Sequence, residues 1–268
     1  MTTTDDDVFV AFERWAEERG VRFARDACVV KRDAHRGAWI EGARDGGRGE
    51  ILLVVPKSAC LSTTTSALGE GDDGRRRERL REMGVVGLVA CVARERAAGE
   101  NSAFAAYAAT LPWDANRRED GEDAREVRAL SRGTTVEVMR ETDEEMLMRD
   151  HESVVEFYAN EIGEEGGAAP TELEFRQAAA VVASRAFFID EDAGQGLVPY
   201  ADLFNHRGSG GRTSSCEGVI RRRRRSFDSN ARARFRAGKR FSIRSETTTI
   251  IRCSFTSMGS SNGITASG

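Results

Sequence analysis

The sequence predicts an α+β fold in which small β-sheets are interrupted by a mainly helical insertion. In the first third of the 268 residues, short apolar runs alternate with glycine-rich turns, and residues 51–55 before Pro56 form the strongest strand candidate. The middle of the chain places apolar residues at helical spacing, and an apolar stretch returns at residues 196–204. This order of strands, helices and strands indicates one discontinuous domain with an insert.

The domain boundaries follow from these changes in pattern. Residues 1–58 and 181–245 are expected to form the two parts of the discontinuous domain, and residues 59–180 its helical insertion. Residues 246–268 are expected to be a disordered or aberrant tail, because the sequence after Arg207 is poor in apolar residues and rich in serine, glycine and arginine.

The first third begins with a predicted helix. Residues 8–20 place their apolar side chains on one face, and Gly20 is a stop signal. Short strands are expected at residues 27–30 and 37–40, before the stronger candidate at residues 51–55. A polar loop is expected over residues 62–73.

The helical middle is predicted from apolar spacing and from end signals. One helix is expected over residues 75–98, and a shorter one begins after Ser102 and ends at Leu111. Residues 113–132 are expected to be polar and exposed, and residues 135–162 to be helical.

The last helix is predicted from its first turn. Thr171 and Glu174 have the spacing of a capping box, which predicts a helix from there through Phe188.

Composition excludes several classes of protein. With 40% hydrophobic and 31% charged residues, full disorder and membrane residence are both disfavoured, and no apolar run approaches the length of a membrane span. The five cysteines show no Cys-x-x-Cys spacing, so neither a disulfide scaffold nor a zinc site is expected, and no metal is assigned.

Residues 1–7 are acidic and lack the features of a signal or transit peptide. The expected location is the cytoplasm or nucleus, with a chloroplast left open, and the expected state is a monomer.

The charge distribution is asymmetric. Of the 40 basic residues only three are lysines, and the segment from Arg207 to Arg240 carries a local charge of +10 in a chain whose net charge is −4. This asymmetry raises the hypothesis of nucleic-acid binding. The run Arg221–Arg225 has no interleaved aromatic residues for base stacking, and a run of like charge is usually a solvated segment, so nucleic-acid binding is not the preferred interpretation.

The densest group of chemically capable residues lies in the last third. Ser184 and Arg185 precede Phe187, and an apolar run then ends with Asp202, Asn205 and His206. Asp202, Asn205 and His206 would place several hydrogen-bonding groups at a chain reversal beside the core. An Asn-His pair also fits a capped turn without further function.

This region resembles the SET-domain protein methyltransferases of the Rubisco large-subunit and ribosomal-protein lysine methyltransferase type. The resemblance rests on Ser-Arg-x-Phe at residues 184–187 and Val-Pro-x-Ala-Asp-x-x-Asn-His at residues 198–206. Weaker similarities follow one another in the family's order between residues 8 and 245. They include Phe12, Trp15, Gly20, Arg36, Gly37, Ala38, Gly49, Glu50, Pro56, Ser102, Phe104, Tyr107, Leu111, Pro112, Leu130, Gly133 and Thr134.

The resemblance implies a SET-domain fold and S-adenosyl-L-methionine as cofactor. By the resemblance, Gly37 lets the backbone approach the cofactor closely, between Arg36 and Ala38, and Arg185 pairs with the cofactor's carboxylate. The residues expected to contact or shape the cofactor site are Arg36, Gly37, Ala38, Ser184, Arg185, Asp202, Asn205 and His206.

The sequence departs from the family at its catalytic end. The family has a tyrosine in a Gly-Glu-Glu-Val-Phe-x-x-Tyr-Gly stretch, whereas this chain matches through Gly238 and then has Ser245 at the tyrosine position. The catalytic residue is therefore not assigned. Residues 239–242 can be encoded so that a shift of one nucleotide reads Glu-Glu-Val-Phe, which raises the hypothesis of a reading-frame error, although no serine codon at 245 then supplies a tyrosine.

The resemblance implies a protein-lysine N-methyltransferase that acts on a non-histone protein. Two alternatives stay open. One is a catalytically inactive SET remnant that binds the cofactor or a partner protein, and the other is an arginine-rich nucleic-acid-binding protein. A protein substrate presenting a lysine side chain is the expected partner.

Overall fold

A computed structural model describes eight segments of the chain. They are residues 5–33, 37–44, 51–71, 74–113, 122–163, 167–204, 215–222 and 247–254.

Before Lys57 the described residues form one helix and four strands, largely where the sequence predicts them. Helix α1 (Asp5–Glu18) ends before Gly20, which has a φ of 78° and turns the chain into β1 (Arg22–Phe23). Positive φ carries no steric cost at glycine, so the predicted stop signal is confirmed. The other strands are β2 (Cys28–Asp33), β3 (Gly37–Gly42) and β4 (Leu53–Pro56).

The expected loop at residues 62–73 is more ordered than its polarity indicates. Strand β5 (Leu61–Ser62) precedes it, and Ala67–Gly69 form a 3₁₀ turn capped by the Ser66 hydroxyl. Ser66 and Leu68 are buried. Side-chain hydrogen bonds satisfy the polar groups of this segment inside the protein, which a polarity pattern cannot show.

The helical middle contains more and shorter helices than predicted. The single helix expected over 75–98 is two helices, α2 (Arg75–Glu82) and α3 (Val85–Ala98), because Gly84 between them has a φ of 61°. Helix α4 (Ala105–Ala108) follows. The expected exposed segment at 113–132 contains helix α5 (Glu122–Ser131), which the polar composition concealed.

Two further helices close the middle. Helix α6 (Thr135–Phe157) continues as a π-helical turn at Tyr158–Ile162 that ends at Gly163, as predicted. Helix α7 (Glu172–Arg185) begins with the predicted capping box, formed by Thr171 and Glu174. The prediction that this helix runs through Phe188 is wrong, because strand β6 (Ala186–Asp190) begins directly after Arg185. Ala186–Asp190 pairs with β7 (Gly194–Leu197), and this pairing overrides the helical pattern.

Within the described segments the strands form three antiparallel sheets, two of which join strands that lie before and after the helical middle. One has the order β1-β4-β9-β8, with β8 at Ser215–Arg222 and β9 at Thr247–Ser254. The others are the β2-β3 hairpin and the order β5-β7-β6. Pairing of β4 with β9 and of β5 with β7 brings the two ends of the described chain together. The boundaries at residues 58, 180 and 245 stay predictions.

The predicted tail, residues 246–268, contains a strand. Thr247–Ser254 forms a strand that pairs with both β4 and β8, so the prediction of disorder does not hold for these eight residues. The β-branched threonines and isoleucines of this segment suit a strand.

The core lies between the sheets and the helices α1, α3 and α7. Leu52, Leu53 and Val55 are almost fully buried, as expected for a strand covered on both faces. Helix α3 packs against α7. Among the described residues no helix is long and apolar enough to cross a membrane.

Candidate functional site

The candidate site lies where α7 ends and where a 3₁₀ turn, Ala201–Leu203, follows β7. Nη1 of Arg185 donates hydrogen bonds to the main-chain oxygen of Asp202 at 2.9 Å and to its Oδ2 at 3.4 Å. The Asp202 side chain is 1% exposed and that of Arg185 is 20% exposed. The structure thus brings together two of the residues that the sequence singled out, in a charge-assisted contact at the edge of the core.

Arg185 is positioned by the helix that it ends. The capping box at Thr171 defines the start of α7, and Phe175, Ala178 and Val182 bury its inner face. Because the helix stops at Arg185, the guanidinium projects from the last turn, where a cation is favoured by the helix dipole.

Asp202 is positioned by a strained turn. Tyr200 has a φ of 64°, the only positive φ at a non-glycine residue within the described segments. Such a conformation costs about 1–3 kcal/mol and persists only where packing holds it. The Tyr200 ring stacks on Phe23, with centroids 4.7 Å apart, and lies 4.8 Å from Phe12.

Tyr107 contributes a third group to the site. Its hydroxyl donates a hydrogen bond of 3.0 Å to Oδ2 of Asp202, from helix α4 in the helical middle of the chain. The Tyr107 ring stacks with Phe12 at 5.8 Å and Trp15 at 5.9 Å, so helix α1 fixes its position. Oδ1 of Asp202 is buried and has no hydrogen-bond partner in the described part of the chain.

The electrostatics of the site centre on Asp202. Burial raises the pKa of its carboxyl to about 6, against the opposing influence of Arg185 and of the Tyr107 hydrogen bond. Burial, and then the neighbouring Asp202, raise the pKa of Tyr107 well above its ordinary value. Near neutral pH, therefore, a protonated tyrosine and an arginine face an ionised carboxylate, one oxygen of which has no partner among the described residues. Carboxylates with a strongly perturbed pKa cluster at functional sites, and structural ion-pair networks contain them too.

Gly37 and Ala38 lie on the strand that borders this turn. Strand β3 contacts the Ala201–Leu203 turn. Gly37 has a φ of 72°, and a Cβ placed on it would meet no atom within 4 Å. The space beside Gly37 is therefore open among the described residues, and its contact with a cofactor stays a prediction. Arg36, Asn205, His206 and Ser245 lie outside the described residues.

Ser184 is adjacent to Arg185 in sequence but its side chain faces elsewhere. Its hydroxyl is exposed and donates to the main-chain oxygen of Ala180 at 2.8 Å. Ser184 therefore contacts its own helix, and its assignment to a cofactor site stays a prediction.

Sequence reasoning missed the role of Tyr107. It placed Tyr107 in the helical segment but gave it no function, because 95 residues separate it from Asp202. The available signal was general: a tyrosine among apolar residues needs a partner for its hydroxyl when it is buried. The sequence does not indicate which partner.

Two cavities lie near helix α1 and strands β1 and β2. One of about 240 Å³ is lined by Tyr200, Glu17, Arg22 and neighbours, and one of about 150 Å³ lies between α1 and β2. Arg25 borders both and forms ion pairs with Glu13 and Glu17. Neither cavity is lined by Arg185 or Asp202, so they are separate from the candidate site.

Solved structures similar to this chain are SET domains. One is described as the SET domain of LSMT bound to lysine and AdoHcy; the match has a TM-score of 0.67 and 18% identity and covers 96% of this chain and 55% of that one. A second, Rubisco LSMT bound to AdoMet, matches with a TM-score of 0.62 and 20% identity over 78% of this chain and 47% of that one. A third, Rubisco LSMT bound to sinefungin and monomethyllysine, matches with a TM-score of 0.60 and 21% identity.

These likenesses establish the fold. The α+β SET fold predicted from the sequence is confirmed. The chain spans about half the length of the solved structures it matches. No family model matches the sequence, and no curated protein matches it.

Proposed function

We propose that this chain is a protein-lysine N-methyltransferase that uses S-adenosyl-L-methionine and acts on a non-histone protein. The observation that carries the proposal is the likeness, over 96% of the chain, to a SET domain described with lysine and AdoHcy bound. The resemblance at residues 184–187 and 198–206 supports it independently. We also propose a monomeric protein of the cytoplasm or nucleus, with a chloroplast location open.

The described residues fit such a cofactor. The open backbone at Gly37 leaves space for a ligand, and the buried Oδ1 of Asp202, which has no partner in the described part of the chain, can accept a hydrogen bond from a donor such as an ammonium group. Arg185 uses Nη1 alone in its contacts with Asp202, so Nε and Nη2 remain available in the described structure. Arg185 would hold the cofactor's carboxylate, and the backbone at Gly37 and Ala38 would contact the cofactor.

The cofactor would supply a methyl group on a positively charged sulfur. The task of the protein is then to hold this group in line with the substrate amine and to exclude water. Asp202 and Arg185 contribute orientation, because each is fixed by hydrogen bonds before any ligand arrives. The fixed turn at Tyr200 keeps both in place.

One observation favours an inactive SET remnant as the second candidate. The chain has three tyrosines, at 107, 158 and 200, and their exposures are 1%, 4% and 1%. All three are held in the core, and Tyr107 already donates its hydroxyl to Asp202. A cofactor-binding protein without methyl transfer would have the described half of the site and lack a catalytic tyrosine.

Calorimetry with S-adenosylhomocysteine tests the cofactor site. We expect the wild-type chain to bind and Arg185→Lys to bind about tenfold more weakly, because lysine keeps the charge but loses the planar fork of donors. Arg79→Lys is the matched control, since the Arg79 side chain is exposed and pairs only with Glu82 within the described segments. Absence of binding by the wild-type chain at millimolar concentration would contradict the proposal.

Transfer of a labelled methyl group into proteins of a cell extract separates the two candidates. Incorporation into lysine supports the enzyme, whereas cofactor binding without incorporation supports the remnant. A sequenced transcript across codons 207–268 adds a direct test of the reading-frame hypothesis, which is wrong if the transcript encodes the sequence as it stands.

The third candidate function is nucleic-acid binding by the arginine-rich segment, and a deletion tests it. If Arg221–Arg225 bind phosphates, deletion of the run should abolish nucleic-acid binding and its salt dependence. Unchanged affinity after deletion would dismiss this candidate.

A further inference from the structure

We propose that Tyr107 is a positioning residue of the cofactor site, acting through Asp202 on Arg185. The inference rests on the proposed function, and it adds a role for a residue of the helical middle that the resemblance does not assign. Three groups form one chain of hydrogen bonds: the Tyr107 hydroxyl, the Asp202 carboxylate and Nη1 of Arg185.

The first step is that Tyr107 determines the orientation of the carboxylate. Both the tyrosine hydroxyl and the Arg185 guanidinium contact the same oxygen, Oδ2, at 3.0 and 3.4 Å. Oδ1 is thereby left buried without a partner in the described segments. Without the hydroxyl, the carboxylate could rotate to exchange its two oxygens, since Arg185 alone does not distinguish them. The hydroxyl therefore selects which oxygen stays available for a ligand.

The second step is that the Tyr107 ring is held from outside the site. Its stacking on Phe12 and Trp15 fixes the ring, and the Trp15 indole nitrogen donates a hydrogen bond of 2.8 Å to the main-chain oxygen of Ala103, just before α4. Helix α1 thus fixes α4, and α4 fixes the hydroxyl. A residue so constrained loses little further entropy when it orients Asp202.

The third step concerns charge. The described ionisable groups that face Asp202 are Arg185 from α7 and Tyr107 from α4, while Cys60 near Tyr107 is a neutral thiol whose pKa burial raises to about 12. Glu41, on the neighbouring strand β3, is exposed to solvent. The Tyr107 hydrogen bond lowers the pKa of Asp202, so it favours the ionised form that Arg185 requires.

The test is Tyr107→Phe, which keeps the stacked ring and removes the hydroxyl. Tyr158→Phe is the matched control, because it removes a hydroxyl from another buried tyrosine that has no contact with Asp202 among the described interactions. Affinity for S-adenosylhomocysteine is measured by calorimetry between pH 5 and 8, together with the thermal midpoint of each variant.

The expected result is specific to the positioning role. Tyr107→Phe should weaken binding about tenfold at pH 7, and its affinity should decline at a higher pH than in the wild type, because Asp202 becomes easier to protonate. Tyr158→Phe should follow the wild-type profile. A purely structural role would lower the thermal midpoint without moving the pH at which affinity falls.

Two results would overturn the proposal, and they differ. If the wild type binds and Tyr107→Phe binds equally well with the same pH profile, the positioning role is wrong while the proposed function stands. If the wild type itself does not bind, the proposed function fails and the positioning role fails with it.

Discussion

The Ser66 hydroxyl donates a hydrogen bond of 2.7 Å to Oε1 of Glu95, inside the protein. The same carboxylate accepts from the main-chain nitrogen of Ala67 at 2.9 Å and from the Ser102 hydroxyl at 2.5 Å. Glu95 is 1% exposed and lies on α3. One buried carboxylate therefore ties the loop after β5 and the segment before α4 to the central helix.

Replacing Glu95 with alanine should destabilise the protein severely. The change leaves the buried Ser66 hydroxyl without its acceptor, and it also removes the acceptor of two partly buried donors, the main-chain nitrogen of Ala67 and the Ser102 hydroxyl. A buried donor that loses its acceptor costs about 1–3 kcal/mol, so we expect a total of about 2–4 kcal/mol. Urea denaturation followed by circular dichroism measures the free energy of unfolding. Glu82→Ala on the neighbouring helix is the control, since its ion pair with Arg79 is exposed and worth less than about 1 kcal/mol. A loss at Glu95 no larger than at Glu82 would show that the network contributes nothing.

Gly87→Ala should destabilise the packing of α3 against α2. A Cβ at position 87 would lie 2.0 Å from the main-chain oxygen of Leu80, and neither backbone can yield without moving a helix. Overpacking of this kind typically costs about 1–3 kcal/mol. The thermal midpoint should fall, whereas Val85→Ala, at an exposed position of the same helix, should change it little. An unchanged midpoint for Gly87→Ala would show that the helices separate freely.

Asp202 should make stability depend on pH in a defined direction. Its pKa in the folded protein is raised to about 6 from an ordinary value of 3.8, so between these values the folded state binds more protons than the unfolded state. The stabilisation is fully present below pH 3.8 and is lost as the pH rises through about 6.

The variant Asp202→Asn provides the measurement for this titration. Its free energy of unfolding, subtracted from that of the wild type at each pH, should show the wild type losing stability relative to the variant between about pH 4 and pH 6. A constant difference across this range would mean that Asp202 does not titrate there.

The capping box should stabilise helix α7, which carries Arg185 in its last turn. The Thr171 hydroxyl accepts from the main-chain nitrogen of Glu174 at 3.3 Å, and the Glu174 carboxylate accepts from the main-chain nitrogen of Thr171 at 2.8 Å. Thr171→Ala should lower the free energy of unfolding by about 1 kcal/mol.

The control for the capping box is Thr142→Ala. Thr142 lies within α6, where its hydroxyl bonds the main-chain oxygen of Val138, and alanine is the better helix former there. We expect no loss of stability at position 142. Equal losses at 142 and 171 would indicate that the box itself adds nothing.

Local signals predicted much of the fold. Gly20 ended α1, and the Thr171–Glu174 spacing started α7, because both effects act within one turn of the chain. The sequence failed where a long-range partner decided the outcome. Ala186–Asp190 continued a helical pattern but became a strand through pairing with β7, and Thr247–Ser254 became a strand through pairing with β4.

The same distinction between local signals and long-range partners applies to the candidate site. Arg185 and Asp202 could be singled out from the sequence, because their residue types and order match a short motif of the family that the chain resembles. The sequence by itself also determined the arginine excess after Arg207 and the serine at 245. Only the tertiary structure decided that Tyr107 meets Asp202, that one oxygen of this carboxylate has no partner within the described segments, and that Ser184 contacts its own helix. The physical reason is that burial and pairing depend on residues brought together from distant parts of the chain, and a one-dimensional pattern does not record those distances.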